Sequence, residues 1–354
     1  MKKKKKNKMD DTSYDIEIKY SDNFLDEDDD NNDEFTEEEK RKPSIFRKIF
    51  FALILIIALT IIYSRYIATS GLTIKEYPIE SDSITESING FKIAHFSDVH
   101  YGRVIKLDEL KNLVKEINLT KPDIVVFTGD LVDKTKKLSD NDINNIITEL
   151  SKINSKYGKY YVTGEHDVKL DKYYEIMDSA GFNNLDNKFD IIYKDINSSI
   201  LITGLSVKPD ESFIDKVISE NKVNYKINIM HYPDEFDNIK KYNYDLVLAG
   251  HSHNGQIALP VYGAVITPEN AKEYYKPYYK IDNTLFYISS GVGTTKFDYR
   301  FLNKPSFNLY RILKNRNKSY FFSSSIYLSN VFAFGPNIIF NWLSISTIPF
   351  APIF

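Results

Sequence analysis

The sequence predicts an α/β domain set behind one membrane-spanning helix. Three observations carry the prediction. Five short runs rich in Val, Ile, Phe and Tyr have the composition of buried strands. Segments of helical period alternate with them, which is the element order of an α/β body. Ahead of both lies an uncharged apolar stretch, residues 49–64.

Each of the five runs stops at residues that ligate metals. FKIAHFSDVH ends on Asp98 and His100, and DIVVFTGDLVD on Asp130 and Asp133. YYVTGEHD ends on Glu165, His166 and Asp167, INIMH on His231, and DLVLAGHSH on His251 and His253. Sites in open α/β sheets gather just beyond the carboxyl ends of the strands. Five segments distant in sequence can therefore deliver imidazoles and carboxylates to one crevice. Of the 6 histidines only His95 falls inside a run, where a hydrogen-bonded core histidine is expected.

Taken in order, residues 1–43 open with a Lys run and turn acidic through Asp26-Glu27-Asp28-Asp29-Asp30 and Glu37-Glu38-Glu39. Such a segment has too little apolar surface to fold and reads as a disordered tail. The stretch 49–64 would make roughly 24 Å of helix at 1.5 Å per residue, against a bilayer core of about 30 Å. The span becomes adequate over 44–68 if Arg47, Lys48 and Arg65 snorkel outward. Lys40, Arg41, Lys42, Arg47 and Lys48 flank its N-terminal side, against Arg65 and Lys75 beyond it. The positive-inside rule then leaves the tail in the cytoplasm and puts the domain outside, in a single-pass membrane protein. Ala68-Thr69-Ser70 has the small residues of a signal-peptidase site, but the charged region before it is far longer than a signal peptide's.

Residues 69–90 read as a linker and lead-in strand, and 91–314 as the α/β domain. Strands are expected at 92–96, 123–128 and 159–163, with helices at 107–118, from a Ser139 cap to 152, and at 169–180. A hairpin over 189–205 turns at Asn197-Ser198. Then follow a helix at 210–220, strand 225–230, a short helix from Pro233 to 242, and strand 245–249. Strands near 256–259, 285–289 and 307–313 suggest a second sheet. Residues 315–354 form an additional tail. From Tyr320 it carries no charge, and Pro336, Pro349 and Pro352 argue against one straight transmembrane helix there.

Composition excludes some chemistries. There is no Cys, hence no disulfide and no thiolate ligand or nucleophile. The tail before Ser44 holds 10 of the 46 Lys+Arg and 15 of the 49 Asp+Glu, which leaves 36 against 34. A body so near charge balance lacks the basic footprint of a nucleic-acid binder, which disfavours an exonuclease.

The motifs resemble the calcineurin-like metallophosphoesterases, whose pattern is D-x-H, G-D-x-x-D, G-N-H-[DE], a lone His, and G-H-x-H. Here these read Asp98-Val99-His100, Gly129-Asp130-Leu131-Val132-Asp133, Gly164-Glu165-His166-Asp167, His231 and Gly250-His251-Ser252-His253. The likeness covers about residues 90 to 313. The stretch from Gly250 to Ile257, Leu259-Pro260 and Ser290-Gly291-Val292-Gly293-Thr294 look like the membrane-associated bacterial branch. The resemblance implies a four-layer α/β/β/α sandwich of two facing mixed sheets flanked by helices. It implies hydrolysis of a phosphodiester, phosphomonoester or pyrophosphate bond on an extracytoplasmic substrate, lipid-linked or of the cell envelope.

It further implies two divalent ions, for which His and carboxylate donors suit Mn, Fe or Zn. One would take Asp98, His100 and His253. The other would take Glu165, His231 and His251, with Asp130 between them. Paired ions lower the pKa of a shared water, which supplies the attacking hydroxide. His166 would serve as proton donor or charge stabiliser at the leaving oxygen, oriented by Asp133. One departure stands out: Glu165 occupies the family's Asn position. The added charge fits either an active hydrolase or a metal-binding scaffold with weakened turnover. The match at the other ligands and at His166 favours the hydrolase.

Overall fold

The computed structural model describes residues 44–133, 137–259 and 262–315. The readings for the charged tail (1–43) and for the apolar tail from residue 320 onward fall outside them. The chain divides into two units, Met1–Ala52 and Leu53–Phe354. In the first, the described residues from Ile45 onward are helical and exposed. They open helix α1 (Ile45–Ile62), followed by a wider turn at Tyr63–Ile67. None of the α1 side chains is buried, unlike those of a core helix. By length and composition the helix is able to cross a membrane.

The second unit continues with β1 (Thr73–Ser81), β2 (Phe91–Phe96), α2 (Leu107–Thr120), β3 (Ile124–Phe127), α3 (Asp140–Ser151) and β4 (Gly158–Tyr161). Next come α4 (Tyr173–Ser179), β5 (Asn183–Asn184), β6 (Lys188–Asp195), β7 (Ser198–Leu205), α5 (Ser212–Glu220), β8 (Tyr225–Met230) and α6 (Phe236–Ile239). The remainder is β9 (Leu246–Ala249), β10 (Ala258–Leu259), β11 (Gly263–Ala264), β12 (Tyr278–Ile281), β13 (Thr284–Ile288) and β14 (Ser306–Lys314).

Two six-stranded mixed sheets result, β1-β14-β2-β3-β4-β5 and β12-β13-β9-β8-β7-β6. Alternation along each strand explains the layering, because successive side chains face opposite ways. Ile93, Ile124, Val126 and Tyr160 of the first sheet meet Ile200, Ile202, Ile227, Ile229 and Leu248 of the second in one buried core. Ala94, Phe96, Val125 and Phe127 point away, onto Leu110, Leu113 and Ile117 of α2, Ile146 of α3 and Ile176 of α4. On the far side Val247, Ala249 and Phe286 cover Ile214 of α5 and Phe236 of α6. The order is helix, sheet, sheet, helix.

Several details differ from the sequence expectation, for local reasons. The lead-in segment contributes β1, which pairs with β14 in parallel over its whole length, Thr73↔Ser306 to Ser81↔Lys314. The helix expected at 169–180 is split. A 3-10 turn at Asp167–Lys169 ends with Leu170 extended (φ −102°, ψ 105°), and α4 starts at Tyr173. Asp167 is tied by its carboxylate to another loop, so the chain closes a turn around it before a helix can begin. The β6–β7 turn sits at Ile196-Asn197, one residue early, because the Asp195 carboxylate accepts from Asn197 N (2.8 Å). The Ser139 cap forms as expected, with Asp142 N donating to Ser139 Oγ at 3.1 Å.

Candidate metal centre

The five strand ends meet at one edge of the sandwich. β2, β3 and β4 are parallel neighbours in one sheet and β8 and β9 in the other, so all five loops leave on the same side. They are stitched together by backbone. Asp98 N donates to Gly129 O (2.9 Å), and His100 N to Asp130 O (3.1 Å). Asp98, His100, Asp130, His251 and His253 all lie in the left-handed region, with φ between 45° and 66°. Such conformations cost of order 1–3 kcal/mol each and persist where surrounding structure over-determines them, as at functional sites. Gly129 (φ 92°) lets two loops touch: a Cβ there would lie 2.6 Å from Gly164 N and 2.8 Å from His231 Nδ1.

Three groups of side chains approach closely enough to share an ion: Asp98, His100 and His253; His100, Asp130 and His166; Asp130, His231 and His251. His100 links the first to the second, and Asp130 the second to the third. In the first, His253 Nε2 is 3.5 Å from Asp98 Oδ1 and 3.2 Å from His100 Nε2. Asp130 Oδ2 stands between the clusters, 3.8 Å from His100 Nε2 and 3.6 Å from His231 Nε2. Its other oxygen accepts from His166 N at 2.9 Å.

The donor chemistry fits cations. His231 donates Nδ1–H to Thr128 O (2.7 Å), which turns a bare Nε2 into the site, where it has no hydrogen-bond partner among the described residues. His251 donates Nε2–H to Glu269 O (2.6 Å) and leaves Nδ1 for the centre. Burial, and the neighbouring cationic groups after it, push His100 and His253 well below the ordinary imidazole pKa, so both are neutral donors. Burial pushes the Asp98 and Asp130 carboxyls up, and neighbouring carboxylates add to this. Buried carboxylates beside neutral imidazoles call for positive charge in their midst.

Of the predicted residues, seven fall in these clusters: Asp98, His100, Asp130, His166, His231, His251 and His253. Asp133 borders them, its Oδ2 4.0 Å from His100 Nδ1 and 3.7 Å from Arg103 Nη1. Glu165 lies outside all three groups. Its side chain is 40 % exposed, with Oε1 3.5 Å from His166 Nε2 and Oε2 accepting from Tyr232 OH (3.4 Å). The His166 contact, with the nearby histidine charges, outweighs burial and lowers the Glu165 carboxyl to about 2. His166 moves the other way. Burial pulls it down, but Glu165, Asp130 and Asp133 together raise it.

Sequence reasoning gave no role to three residues that hold the site. Asp167 accepts from the backbone of Asp130 (2.7 Å), Leu131 (2.8 Å) and Gly164 (2.9 Å), clamping the second motif to the third. Its place inside Gly164-Glu165-His166-Asp167 was the available signal. Arg300, fully buried, donates to Ser290 O and Gly291 O (both 2.9 Å) and to Asn303 O (3.1 Å), and braces the loop against His253. Tyr232 packs its ring on His251 (4.8 Å) and His231 (5.4 Å). Neither Arg300 nor Tyr232 lies in a motif. His95 is the core histidine expected, with Nε2 2.9 Å from Thr128 Oγ1.

Comparison with known proteins agrees with this geometry. The sequence model of the calcineurin-like phosphoesterase family matches residues 91–255. The uncharacterized metallophosphoesterase YkuE of Bacillus subtilis is 33% identical over 262 residues, 72% of this chain and 90% of that protein. The chain belongs to the calcineurin-like phosphoesterase family. Another member, the uncharacterized metallophosphoesterase Cj0846 of Campylobacter jejuni, is 27% identical over 70% of this chain, which spans 66% of it. A transmembrane protein with metallophosphoesterase domain from Danio rerio is 24% identical over 70% of this chain, which spans 59% of that relative. Among solved structures, a dimetal phosphatase from Danio rerio covers 57% of this chain and 88% of its own, at 13% identity and TM-score 0.40. For this metallophosphoesterase the clusters around Asp130 are the candidate ligands of a dinuclear metal centre.

Proposed function

We propose that this chain is a membrane-anchored phosphoesterase whose domain, residues 91–314, works outside the cytoplasm on a lipid-linked or cell-envelope phosphodiester, phosphomonoester or pyrophosphate. The observation that carries the reading is the position of Asp130, within 4 Å of donors from both flanking clusters. Asp98, His100 and His253 would hold one ion, and His231 and His251 the other, with Glu165 at its open side. Asp130 would serve both. When bound, such a pair of Mn, Fe or Zn ions activates water and neutralises charge on the phosphate.

The chain's own residues do the rest. His166, whose proton affinity Glu165, Asp130 and Asp133 raise against the pull of burial, is suited to pass a proton to the leaving oxygen. Asp133 restrains the imidazoles beside it, and Asp167 fixes the turn that presents Asp130. The exposed α1 and kinship with a transmembrane relative support the anchor, and the basic flank before α1 supports the orientation.

A second reading, a scaffold with weakened turnover, draws on the Glu165 carboxylate at 3.5 Å from His166 Nε2, where it competes with an anionic substrate. One experiment separates the two. Purified full chain loaded with Mn is assayed on bis-p-nitrophenyl phosphate beside Asp130→Asn, with metal content measured on both. The hydrolase reading expects turnover in the wild type, and loss of both turnover and metal in the variant. A wild type that binds two ions and turns nothing over supports the scaffold.

A further inference from the structure

Next to the metal cluster lies a group of exposed apolar side chains. A small cavity of about 60 Å³ has His251 and His253 at its floor and Ile266 and Phe297 in its walls. Those two wall side chains are 55% and 58% exposed. Tyr262 (86%) and Val265 (52%) are exposed on the β10–β11 segment beside Ile266, and Leu302 (55%) follows Phe301, whose carbonyl accepts from Ala258 N at the start of that segment. Contiguous exposed apolar surface of this kind marks an interaction face.

Its backbone is fastened to the end of α1. Tyr63, in the turn after α1, packs its ring edge on Phe301 (6.1 Å), and Arg300 N donates to Ser64 O (2.9 Å). Phe301 N in turn donates to Gln256 O, and Ala258 N to Phe301 O (3.0 Å). Gln256 completes the frame, donating Nε2–H to Phe297 O (2.7 Å) and accepting from Thr295 N (2.9 Å). The loop that carries Phe297 and Leu302 is therefore tied to Tyr63 and Ser64, where the apolar helix gives way to Arg65 and Tyr66. A basic and aromatic pair at a helix end is the usual marker of the headgroup level. Lys296, beside Phe297 in the cavity wall, adds a cation there.

We propose that this rim, Tyr262, Val265, Ile266, Phe297 and Leu302, docks on the outer face of the bilayer that holds α1, so that the metal cluster opens toward lipid headgroups. The substrate class then narrows to phosphate esters of lipids taken directly from the leaflet. This narrowing rests on the phosphoesterase reading; the docking does not. Burial of such side chains at the headgroup boundary follows the energetics of interfacial apolar surfaces.

The absence of cysteine makes the test direct. Full chain carrying Ile266→Cys or Phe297→Cys is labelled with an environment-sensitive fluorophore and reconstituted in phosphatidylcholine–phosphatidylglycerol nanodiscs. Ile196→Cys, in the β6–β7 turn at the opposite ends of the parallel strands, is the control. Labels at 266 and 297 should be quenched by nitroxide lipids and shielded from iodide, and the label at 196 the reverse. Iodide quenching at 266 and 297 equal to that at 196 overturns the proposal, and so does shielding from both quenchers, which means a protein partner.

A second arm reads substrate class. Tyr262→Ser combined with Val265→Ser, on the rim but outside the cavity lining, should lower turnover of dioleoyl phosphatidate in the bilayer roughly tenfold, and leave bis-p-nitrophenyl phosphate within about twofold. Equal loss on both substrates overturns the lipid assignment. A wild type that hydrolyses neither defeats the phosphoesterase reading and the substrate class with it, while the quenching arm still decides the docking.

Discussion

Replacing Asp167 by Asn tests whether one buried carboxylate holds the centre together. Asp167 is 1% exposed and takes three backbone N–H groups, two on Oδ2 from Asp130 and Gly164 and one on Oδ1 from Leu131. Asn has one oxygen. Placed at the Oδ2 position it keeps two bonds, now to a neutral acceptor, and turns its NH2 against Leu131 N–H. The lost charged hydrogen bond is worth about 1.5–3 kcal/mol, and the remaining two weaken toward neutral strength. Relief from burying a charge offsets part of this. The net expectation is a loss of about 3 kcal/mol. For a domain of this size each kcal/mol moves Tm by about 2–4 °C, so Tm should fall by roughly 6–12 °C. Because the released N–H belongs to Leu131, next to Asp130, and the bond from Asp130 N itself weakens, metal affinity should also drop about 10- to 100-fold, as when partners behind a ligand are removed. The assay is thermal unfolding of full chain in detergent, with and without EDTA, plus metal content after dialysis. The Tm loss should persist in EDTA, since the clamp is backbone and not ion. An unchanged Tm with full occupancy would refute the clamp.

Other perturbations address separate points. Glu165→Asn and Glu165→Gln should weaken binding of the second ion while keeping or raising turnover at saturating Mn; calorimetry that finds unchanged affinity for both leaves Glu165 as a partner of His166 and Tyr232 alone. Gly129→Ala should disrupt the centre, because its Cβ would meet Gly164 and His231 at a φ of 92°; a variant that folds with normal metal content contradicts the close approach. Arg300→Met leaves the carbonyls of Ser290 and Asn303 without the Arg300 donor, while Gly291 O keeps Ser306 N, and should lower Tm by at least several degrees, at roughly 1–3 kcal/mol per unmet group; an unchanged melting curve argues against the brace. A tag before α1 should be protease-protected in intact cells while the domain is accessible, and the opposite pattern reverses the topology.

The sequence was most legible where strand period and ligand chemistry coincide. Asp98, His100, Asp130, His231, His251 and His253 each end a buried run, so the fold that explains the runs also explains the cluster. Legibility failed where a residue acts through a long-range partner. Arg300 is a cation in a polar loop until the carbonyls around it are known. Asp167 looked like one more strand-end acid, yet its carboxylate points back to backbone 37 residues earlier. Glu165 was read as a ligand from its position in the motif; its side chain contacts His166 Nε2 (3.5 Å) and also Tyr232 OH (3.4 Å), a residue that the sequence keeps far from it and gives no role. The edge strand β12 went unseen because Tyr278–Ile281 is four residues long and its sequence, Tyr-Tyr-Lys-Ile, does not alternate apolar with polar, although its burial does.

The pairing of β1 with β14 has a consequence for biosynthesis. β14 lies between β1 and β2, so two strands made early must wait for residues 306–314 before either gains that neighbour. Closure over more than 220 residues is a high-contact-order event and is slow. Until it happens, β1 has no partner and β2 is an open edge, the kind of surface that pairs with other chains. The domain thus stays incomplete while it emerges from the ribosome. The β1–β14 zipper is then a late, committing step of folding.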